Sequence, residues 1–307
     1  MMPVTCPAPG ERAPRAAHTS GGAPHERLYP APPALQGVLA ALVSRDTSRL
    51  ALSSAQRLSH FPASPLITLS WYHGLEAGLV TDGEQGAQWQ PFGARVVMSG
   101  SQSRPLVSWA PTTGRGYIAC FPADVAQALF GVDLPALHDR FVPARDVLDA
   151  GWTPLFDALL GAPDDAATMA ALEQHLLPRW RAVNGDVSPL ASVRQLGRHW
   201  VERLALKAHG WQRDVSPRHV ERRIKSYSGR SLREWQALVR TESLFFAARD
   251  RYETGAAFDW ADLAQQEGFS DQAHMSRVAR QITGFPPGEF AQRFIGDESF
   301  WMYRLWV

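Results

Sequence analysis

Residues 260–290 read WADLAQQEGFSDQAHMSRVARQITGFPPGEF and predict two helices that meet at a tight corner. Gly268 supplies the corner, because glycine enters the left-handed conformation without a Cβ penalty. Ser270 and Asp271 are N-cap residue types, so we expect a second helix to begin there. Four apolar residues at spacing i, i+3, i+4 and i+7 give this helix one buried stripe: Met275, Val278, Ala279 and Ile282.

The other face of this second helix is rich in hydrogen-bond donors: Gln272, His274, Ser276, Arg277, Arg280 and Gln281. Gly284 and the pair Pro286-Pro287 end the helix. A short amphipathic helix with amides and guanidinium groups on its outer face is what reading the DNA major groove requires. The alternative is an ordinary pair of packed helices, since any small helical bundle contains this geometry.

A parallel arrangement lies upstream in residues 216–229, SPRHVERRIKSYSG. Ser216 is the expected N-cap, Gly229 the expected end, and the inward stripe consists of Val220, Ile224 and Tyr227. The outer face is mainly cationic: Arg218, Glu221, Arg222, Arg223 and Lys225. Two capped helices that each carry a cationic outer face favour nucleic-acid binding more strongly than one does.

These two units resemble the AraC/XylS family of bacterial transcription regulators over roughly residues 190–295. The matching residues are Ser216, Arg218, Val220, Arg222, Gly229, Gly268, Phe269, Asp271, His274, Arg277, Gly284, Pro287 and Phe290. The resemblance implies an all-α DNA-binding domain with two helix-turn-helix units. A rod-like helix over about 232–249, capped by Ser231, would join them. It further implies promoter DNA and RNA polymerase as partners and the role of an activator or a repressor, between which the sequence does not decide.

We expect some residues of the two outer faces to contact bases and others to contact phosphates. Base reading is assigned to Arg218, Glu221, Arg222, Gln272, His274, Ser276 and Arg277, because arginine pairs with guanine and glutamine with adenine. Phosphate contact is assigned to Arg223, Lys225 and Arg280.

The distribution of charge fits this interpretation, although the net charge of the chain is only +1. Residues 188–296 hold 17 Lys+Arg against 12 Asp+Glu, whereas the rest of the chain holds 14 against 18. A cationic C-terminal part joined to an acidic N-terminal part is typical of a DNA-binding domain attached to something else.

The N-terminal part predicts an α+β regulatory domain over residues 28–185. A short helix is expected over 35–43, followed by short strands broken by Gly and Pro that form a small antiparallel sheet or half-barrel. Helices then run up to the turn cluster 184–186 (Asn-Gly-Asp), where we place the boundary to a DNA-binding domain over 186–296. This arrangement is similar to the sensor region ahead of some AraC-type domains and implies a small-molecule effector.

Six aromatic residues of this part either line such an effector pocket or form the core of the sheet, and the two interpretations are compatible: Trp71, Tyr72, Trp89, Phe92, Trp109 and Tyr117. Residues 1–27 are rich in Pro, Ala and Gly, and we expect them to be disordered. The tail 297–307 is too apolar for a solvated end. We expect it to pack back on the protein, and the alternative is a contact in a homodimer.

No catalytic, metal-binding or cofactor motif is evident. Cys6 and Cys120 give no disulfide framework, and Cys120 sits in an apolar run typical of a buried thiol. His60, His73 and Glu76 lack the spacing of a metal site, and nucleophile and phosphate-loop motifs are absent. We expect a cytoplasmic chain without signal peptide or membrane span. The alternative function is a small-molecule-binding or enzymatic N-terminal domain with a helical protein-interaction module.

Overall fold

The computed structural model describes residues 6–16, 25–83, 86–184, 193–212, 215–228, 230–236, 239 and 272–306. An α+β N-terminal part of two antiparallel sheets and covering helices is followed by a helical C-terminal part. The expected fold class, an α+β part followed by an all-α part, is therefore confirmed over these residues.

Within the described residues, ten strands build two sheets: β1 (Glu26–Pro30), β2 (Ala41–Asp46), β3 (Leu58–Phe61), β4 (Ile67–His73), β5 (Gly78–Gly83), β6 (Gly86–Pro91), β7 (Val96–Ser99), β8 (Leu106–Trp109), β9 (Arg115–Phe121) and β10 (Phe141–Pro143). The six-stranded sheet has the order β1-β2-β9-β4-β7-β10, and the four-stranded sheet the order β3-β8-β5-β6. All their pairings are antiparallel.

Strand β4 shows how the six-stranded sheet divides its two faces. Successive side chains of a strand point to opposite faces. Ile67, Leu69 and Trp71 belong to the main hydrophobic core, which the helices of the N-terminal part cover. The intervening Thr68 and Ser70 line a cavity on the other face. The motif LITLSWY thus gives the sheet one apolar face and one face that carries hydroxyl groups.

The helices of the N-terminal part follow β9: α1 (Ala123–Phe130), α2 (Leu134–Leu137), α3 (Ala144–Val147), α4 (Thr153–Gly161) and α5 (Asp165–Asn184). The first residue of α5 fixes this helix to the sheet. The Asp165 carboxylate accepts hydrogen bonds from the hydroxyls of Tyr29 (2.6 Å), Ser44 (3.1 Å) and Tyr117 (2.8 Å). Three strands are thereby connected to one helix terminus.

The helical part contains α6 (Val193–Trp211), α7 (Pro217–Ser228), α8 (Gln272–Thr283), α9 (Pro287–Gly296) and α10 (Trp301–Trp306). A further helix includes residues 232–236. Its N-terminus is a capping box, in which the Glu234 amide donates to Ser231 Oγ (3.3 Å) and the Ser231 amide donates to Glu234 Oε2 (2.7 Å). The expected cap at Ser231 is thus observed, whereas most of the rod that should follow lies outside the described residues.

Two sequence-based expectations are wrong. Residues 35–43 were expected to form a helix, but the chain makes only a 3-10 turn at Pro33–Leu35 and then enters β2. Residues 41–45 are buried, so the apolar run belongs to a strand covered on both faces, which periodicity alone does not distinguish from a helix.

Residues 1–27 were expected to be disordered, yet residues 6–16 pack against the C-terminal end of the chain. Ala13 is buried, Pro14 forms a β-bridge with Asp297, and the Glu298 amide donates to the Ala13 carbonyl (2.8 Å). Cys6 is also buried, and residues 26 and 27 belong to β1. These contacts join positions nearly 300 residues apart in the chain, so the composition of the segment gives no sign of them.

The aromatic tail packs back onto the sheets, as expected. Phe300, Trp301, Met302 and Tyr303 are buried, and Trp301 packs with Val43 and donates its Nε1 hydrogen to Ser59 Oγ (2.8 Å). Among the described helices, none is both long and apolar enough to cross a bilayer.

Candidate nucleic-acid interface

Helix α7 has the amphipathic form that the sequence predicts. Val220 and Ile224 are buried, and Tyr227 packs partly buried against the same core. All five predicted contact residues of this helix are exposed: Arg218, Glu221, Arg222, Arg223 and Lys225. The helix therefore presents four cationic side chains and one carboxylate to solvent.

Two of these arginines are oriented by neighbouring rings. Arg222 Nη2 lies 2.6 Å from His219 Nε2. The Arg223 guanidinium lies 5.3 Å from the ring centroid of Trp211, at the end of α6. A guanidinium held over an aromatic face loses less freedom when it contacts an anion than a free one does.

Helix α8 also has the expected stripe. Met275, Ala279 and Ile282 are buried, and Val278 packs against the core. Arg277 and Arg280 are exposed, and neither forms an ion pair with any residue that the structure describes. His274 and Ser276 are half-buried, whereas Gln272 is the first residue of the helix.

The helix ends as predicted at Gly284, whose φ of 83° is left-handed and whose amide donates to the Arg280 carbonyl (2.8 Å). The corner at Gly268 and the caps Ser270 and Asp271 lie outside the described residues. The same holds for the first helix of this unit.

The end of α7 is attached to the N-terminal part through Arg230. Its Nε donates to His138 Nδ1 (3.3 Å), and its Nη2 lies 3.8 Å from Asp139 Oδ1. Burial lowers the pKa of Arg230 to about 10, against the opposite influence of Asp139 and Glu234, so the group stays charged at neutral pH. Burial and the Arg230 charge lower the pKa of His138, which suits a ring nitrogen that accepts a hydrogen bond.

A cavity of about 120 Å³ lies on the hydroxyl-bearing face of the six-stranded sheet. Both sheets and the helical part contribute its lining: Phe61, Pro62, Ala63, Ser64, Leu66, Thr68, Ser70, Tyr72, Phe92, Ser99, Gln102, Leu106, Ser108, Ile118, Cys120, Phe141, Ile282, Met302 and Tyr303. Ile282 belongs to the buried stripe of α8, so a molecule in this cavity would touch the helix that carries Arg277 and Arg280.

A second cavity of about 90 Å³ adjoins the first and shares Phe61, Tyr72, Ser108 and Ile118 with it. Its lining includes Arg45 and Arg57. Arg45 is held by Glu298 (2.8 Å), and Arg57 donates to the carbonyls of Ala110 (3.0 Å) and Leu52 (2.9 Å).

The six aromatic residues singled out in the sequence divide between core and cavities. Trp71 stacks on Tyr117 in the main core (centroids 5.2 Å apart), and Trp89 packs edge-on against Trp109 between the strands of the smaller sheet (5.6 Å). Tyr72 and Phe92 line the larger cavity, while Trp109 and Tyr117 border the smaller one. These residues therefore form part of the core and also line cavities, and the binding of an effector there stays a prediction.

Over the described residues, no group of three or more His, Cys, Asp or Glu side chains is placed to hold a metal ion. Cys120 is a buried free thiol, as expected. His60 is buried between the rings of Phe285 (5.4 Å) and Phe300 (5.0 Å). Burial, followed by the Arg293 charge, lowers the pKa of His60 to about 3, so the imidazole is neutral.

Sequence reasoning missed Arg230 as a connection between the two parts, and it missed the hydroxyl-bearing wall of the cavity. The alternation in LITLSWY contains a signal for the second feature, because every polar residue of the motif falls on one face. No pattern in the sequence pairs Arg230 with His138 across 92 residues.

No family model matches the chain, and no curated protein matches it. Solved structures with similarity include ToxT from Vibrio cholerae, at 11% identity and a TM-score of 0.36, covering 81% of this chain and 96% of ToxT. ToxT bound to an unsaturated fatty acid gives 12% identity and 0.34, covering 76% and 93%. The AraC-like transcriptional activator CuxR gives 12% identity and 0.29, covering 72% and 78%. At these identities and TM-scores, the likeness by itself carries no argument about what this chain does.

Proposed function

We propose that this chain is a sequence-specific DNA-binding transcription regulator of the AraC/XylS type, with a small molecule controlling it through the N-terminal part. The observation that carries the proposal is the pair of helices α7 and α8. Each buries an apolar stripe and exposes at least two arginines, here Arg218 and Arg222 on α7 and Arg277 and Arg280 on α8. Exposed guanidinium groups on a short helix suit guanine edges and phosphates.

The proposed base-reading residues are Arg218, Glu221, Arg222, Gln272, His274, Ser276 and Arg277, and the proposed phosphate contacts are Arg223, Lys225 and Arg280. Double-stranded promoter DNA is the partner that this division requires. RNA polymerase contact belongs to the same proposal, because an activator acts through the polymerase. Homodimer formation is a separate part of the proposal.

The position of the larger cavity supports control by a small molecule. Ile282 of α8 and Tyr303 of α10 line it together with residues of both sheets. A ligand that contacts both parts of the chain shifts the equilibrium between two arrangements of these parts only if it binds one arrangement more tightly than the other. Because Ile282 lines the cavity, a bound ligand would contact α8 directly.

A mobility-shift assay of the full chain on genomic fragments, with heparin as competitor, tests the proposal. We expect retarded fragments that survive the competitor, and a loss of retardation in the double variant Arg277→Ala/Arg280→Ala. Arg104→Ala is the matched control, because Arg104 is an exposed arginine of the N-terminal part. If no fragment is retarded at low salt, or if the control loses binding equally, the proposed function is wrong and a protein-interaction role for the helices gains support.

A further inference from the structure

The lining of the larger cavity combines apolar side chains with neutral hydrogen-bonding groups. Among the described residues that line it, none carries a charge. The polar groups are hydroxyls and one amide: Ser64, Thr68, Ser70, Tyr72, Ser99, Gln102, Ser108 and Tyr303. Hydroxyls both donate and accept, so they can satisfy a carbonyl, a hydroxyl or an amide of a ligand.

The hydroxyl groups lie on neighbouring strands. Thr68 on β4 is paired in register with Ser99 on β7, and their oxygens are 2.7 Å apart. Aromatic faces stand beside them, since Phe92 stacks on Phe141 (4.9 Å between centroids) and on Tyr72 (6.2 Å). A flat or slender apolar molecule with one neutral polar group matches this combination.

Among the lining residues that the structure describes, an ion would find no counter-ion in this cavity. The adjoining cavity has two guanidinium groups in its described lining, and both already have partners, since Arg45 is paired with Glu298 and Arg57 donates to two backbone carbonyls. A charge that leaves water without a partner loses its hydration uncompensated. The chemistry of the wall that the described residues form therefore selects against carboxylates and ammonium groups.

The volume limits the size of the occupant. A cavity of about 120 Å³ holds roughly four to ten water molecules by the volume that one water occupies. A ligand of roughly five to ten non-hydrogen atoms fills the same space.

From these observations we infer that the cavity binds a small, uncharged, largely apolar ligand with a single neutral polar group. The inference rests on the proposed control by a small molecule and names the chemical class of that molecule.

Pairs of a neutral amide and an ionised acid of the same shape test the inference on the full-length chain. Benzamide and benzoate have the same number of non-hydrogen atoms, as do hexanamide and hexanoate, and at neutral pH only the acids are ionised. Ligand-observed NMR titrations yield dissociation constants for all four. We expect at least one amide to bind at least tenfold more tightly than its acid. Equal or tighter binding of the acids would overturn the inference, and so would the absence of saturable binding by both amides at millimolar concentration.

Two variants locate the binding. Thr68→Phe places a ring in the cavity and should abolish amide binding. Thr81→Phe makes the same change at an exposed position of β5 and should leave it unchanged. Thermal unfolding checks that both variants fold, and retention of binding by a folded Thr68→Phe would place the ligand elsewhere. The parent titrations decide on ligand class even if Thr68→Phe does not fold.

A parallel mobility-shift assay keeps the two proposals separable. If the chain binds an amide but retards no DNA, the proposed regulator function is contradicted and the ligand class is supported. If it retards DNA but binds no amide, the regulator function is supported and the ligand class is contradicted.

Discussion

The amide of Ala63 donates a hydrogen bond of 2.9 Å to the carbonyl of Ile282, and this bond joins the N-terminal part to the end of α8. The next residue, Ser64, pairs with Gln102 through two backbone hydrogen bonds of 3.0 and 2.8 Å. All four residues line the larger cavity. The short segment Ala63-Ser64 therefore connects the cavity wall, the sheets and helix α8.

Gly284, just beyond this connection, should accept a side chain only at a cost in stability. Its φ of +83° is strained for any residue with a Cβ, and an added Cβ would lie 3.3 Å from Pro105 Cγ. We expect Gly284→Ala to lower the free energy of unfolding by about 1–2 kcal/mol, measured by urea denaturation. Gly288→Ala in α9 is the control, because nothing lies within 4 Å of its added Cβ. Equal stabilities of the two variants would show that the turn relaxes at no cost.

The ion pair between Arg45 and Glu298 should show strong coupling. Their nitrogen and oxygen are 2.8 Å apart, and their side chains are 9% and 1% exposed. Arg45→Met leaves the Glu298 carboxylate buried without its strongest partner, so we expect a loss of about 3–5 kcal/mol in the free energy of unfolding.

The double variant Arg45→Met/Glu298→Gln provides the control for this pair. Removing both charges should cost less than the sum of the two single changes, because no isolated buried charge remains. Strict additivity in urea unfolding would mean that the pair does not interact in solution.

His60 should make the protein sensitive to acid. Its pKa falls from 6.5 to about 3 on folding, mainly through burial. As the pH drops below about 6.5, the unfolded chain binds the proton while the folded chain does not. Above pH 6.5 His60 is neutral in both states and does not lower the free energy of unfolding. As the pH falls from 6.5 toward 3, the free energy of unfolding decreases. A shift of this size amounts to roughly 3–5 kcal/mol.

Denaturation at several pH values checks this expectation. His60→Leu should flatten the stability profile between pH 3 and 6.5, whereas His209→Leu, at an exposed position of α6, should not. A profile of His60→Leu that follows the parent would assign the acid sensitivity to other groups, of which His73 and His138 also have lowered pKa values.

Features that depend on neighbouring residues could be predicted from the sequence, whereas contacts between distant positions could not. The stripe of α8 could be predicted from spacing alone, since Met275, Ala279 and Ile282 are buried as expected. That pattern states which face is buried but not against what, and so the contact of Ile282 with the cavity was not predictable. The same limit explains why the packing of residues 6–16 was not predicted. The Arg293 guanidinium that donates to the Gly10 carbonyl (2.7 Å) lies 283 positions away in the sequence.

Residues of α8 should differ in how they contribute to DNA binding. Arg277 is assigned to base reading, so Arg277→Ala should cost about 1–3 kcal/mol at a cognate site and relax the preference at one base position. Arg280 is assigned to a phosphate, so Arg280→Ala should weaken binding to all sequences alike. Each phosphate contact releases condensed counter-ions, and its loss should reduce the slope of log K against log salt by about one.

Titrations of a cognate and a scrambled site at several salt concentrations separate these effects. Both arginines are exposed and lie three residues apart on one helix, so neither is withdrawn from solvent or from DNA by burial. Arg277→Ala should leave the affinity for the scrambled site within a few-fold of the parent, because a base contact contributes little where the base is wrong. If both variants lose affinity equally at both sites and change the salt slope equally, then α8 contacts only the backbone, and base reading must be reassigned to α7.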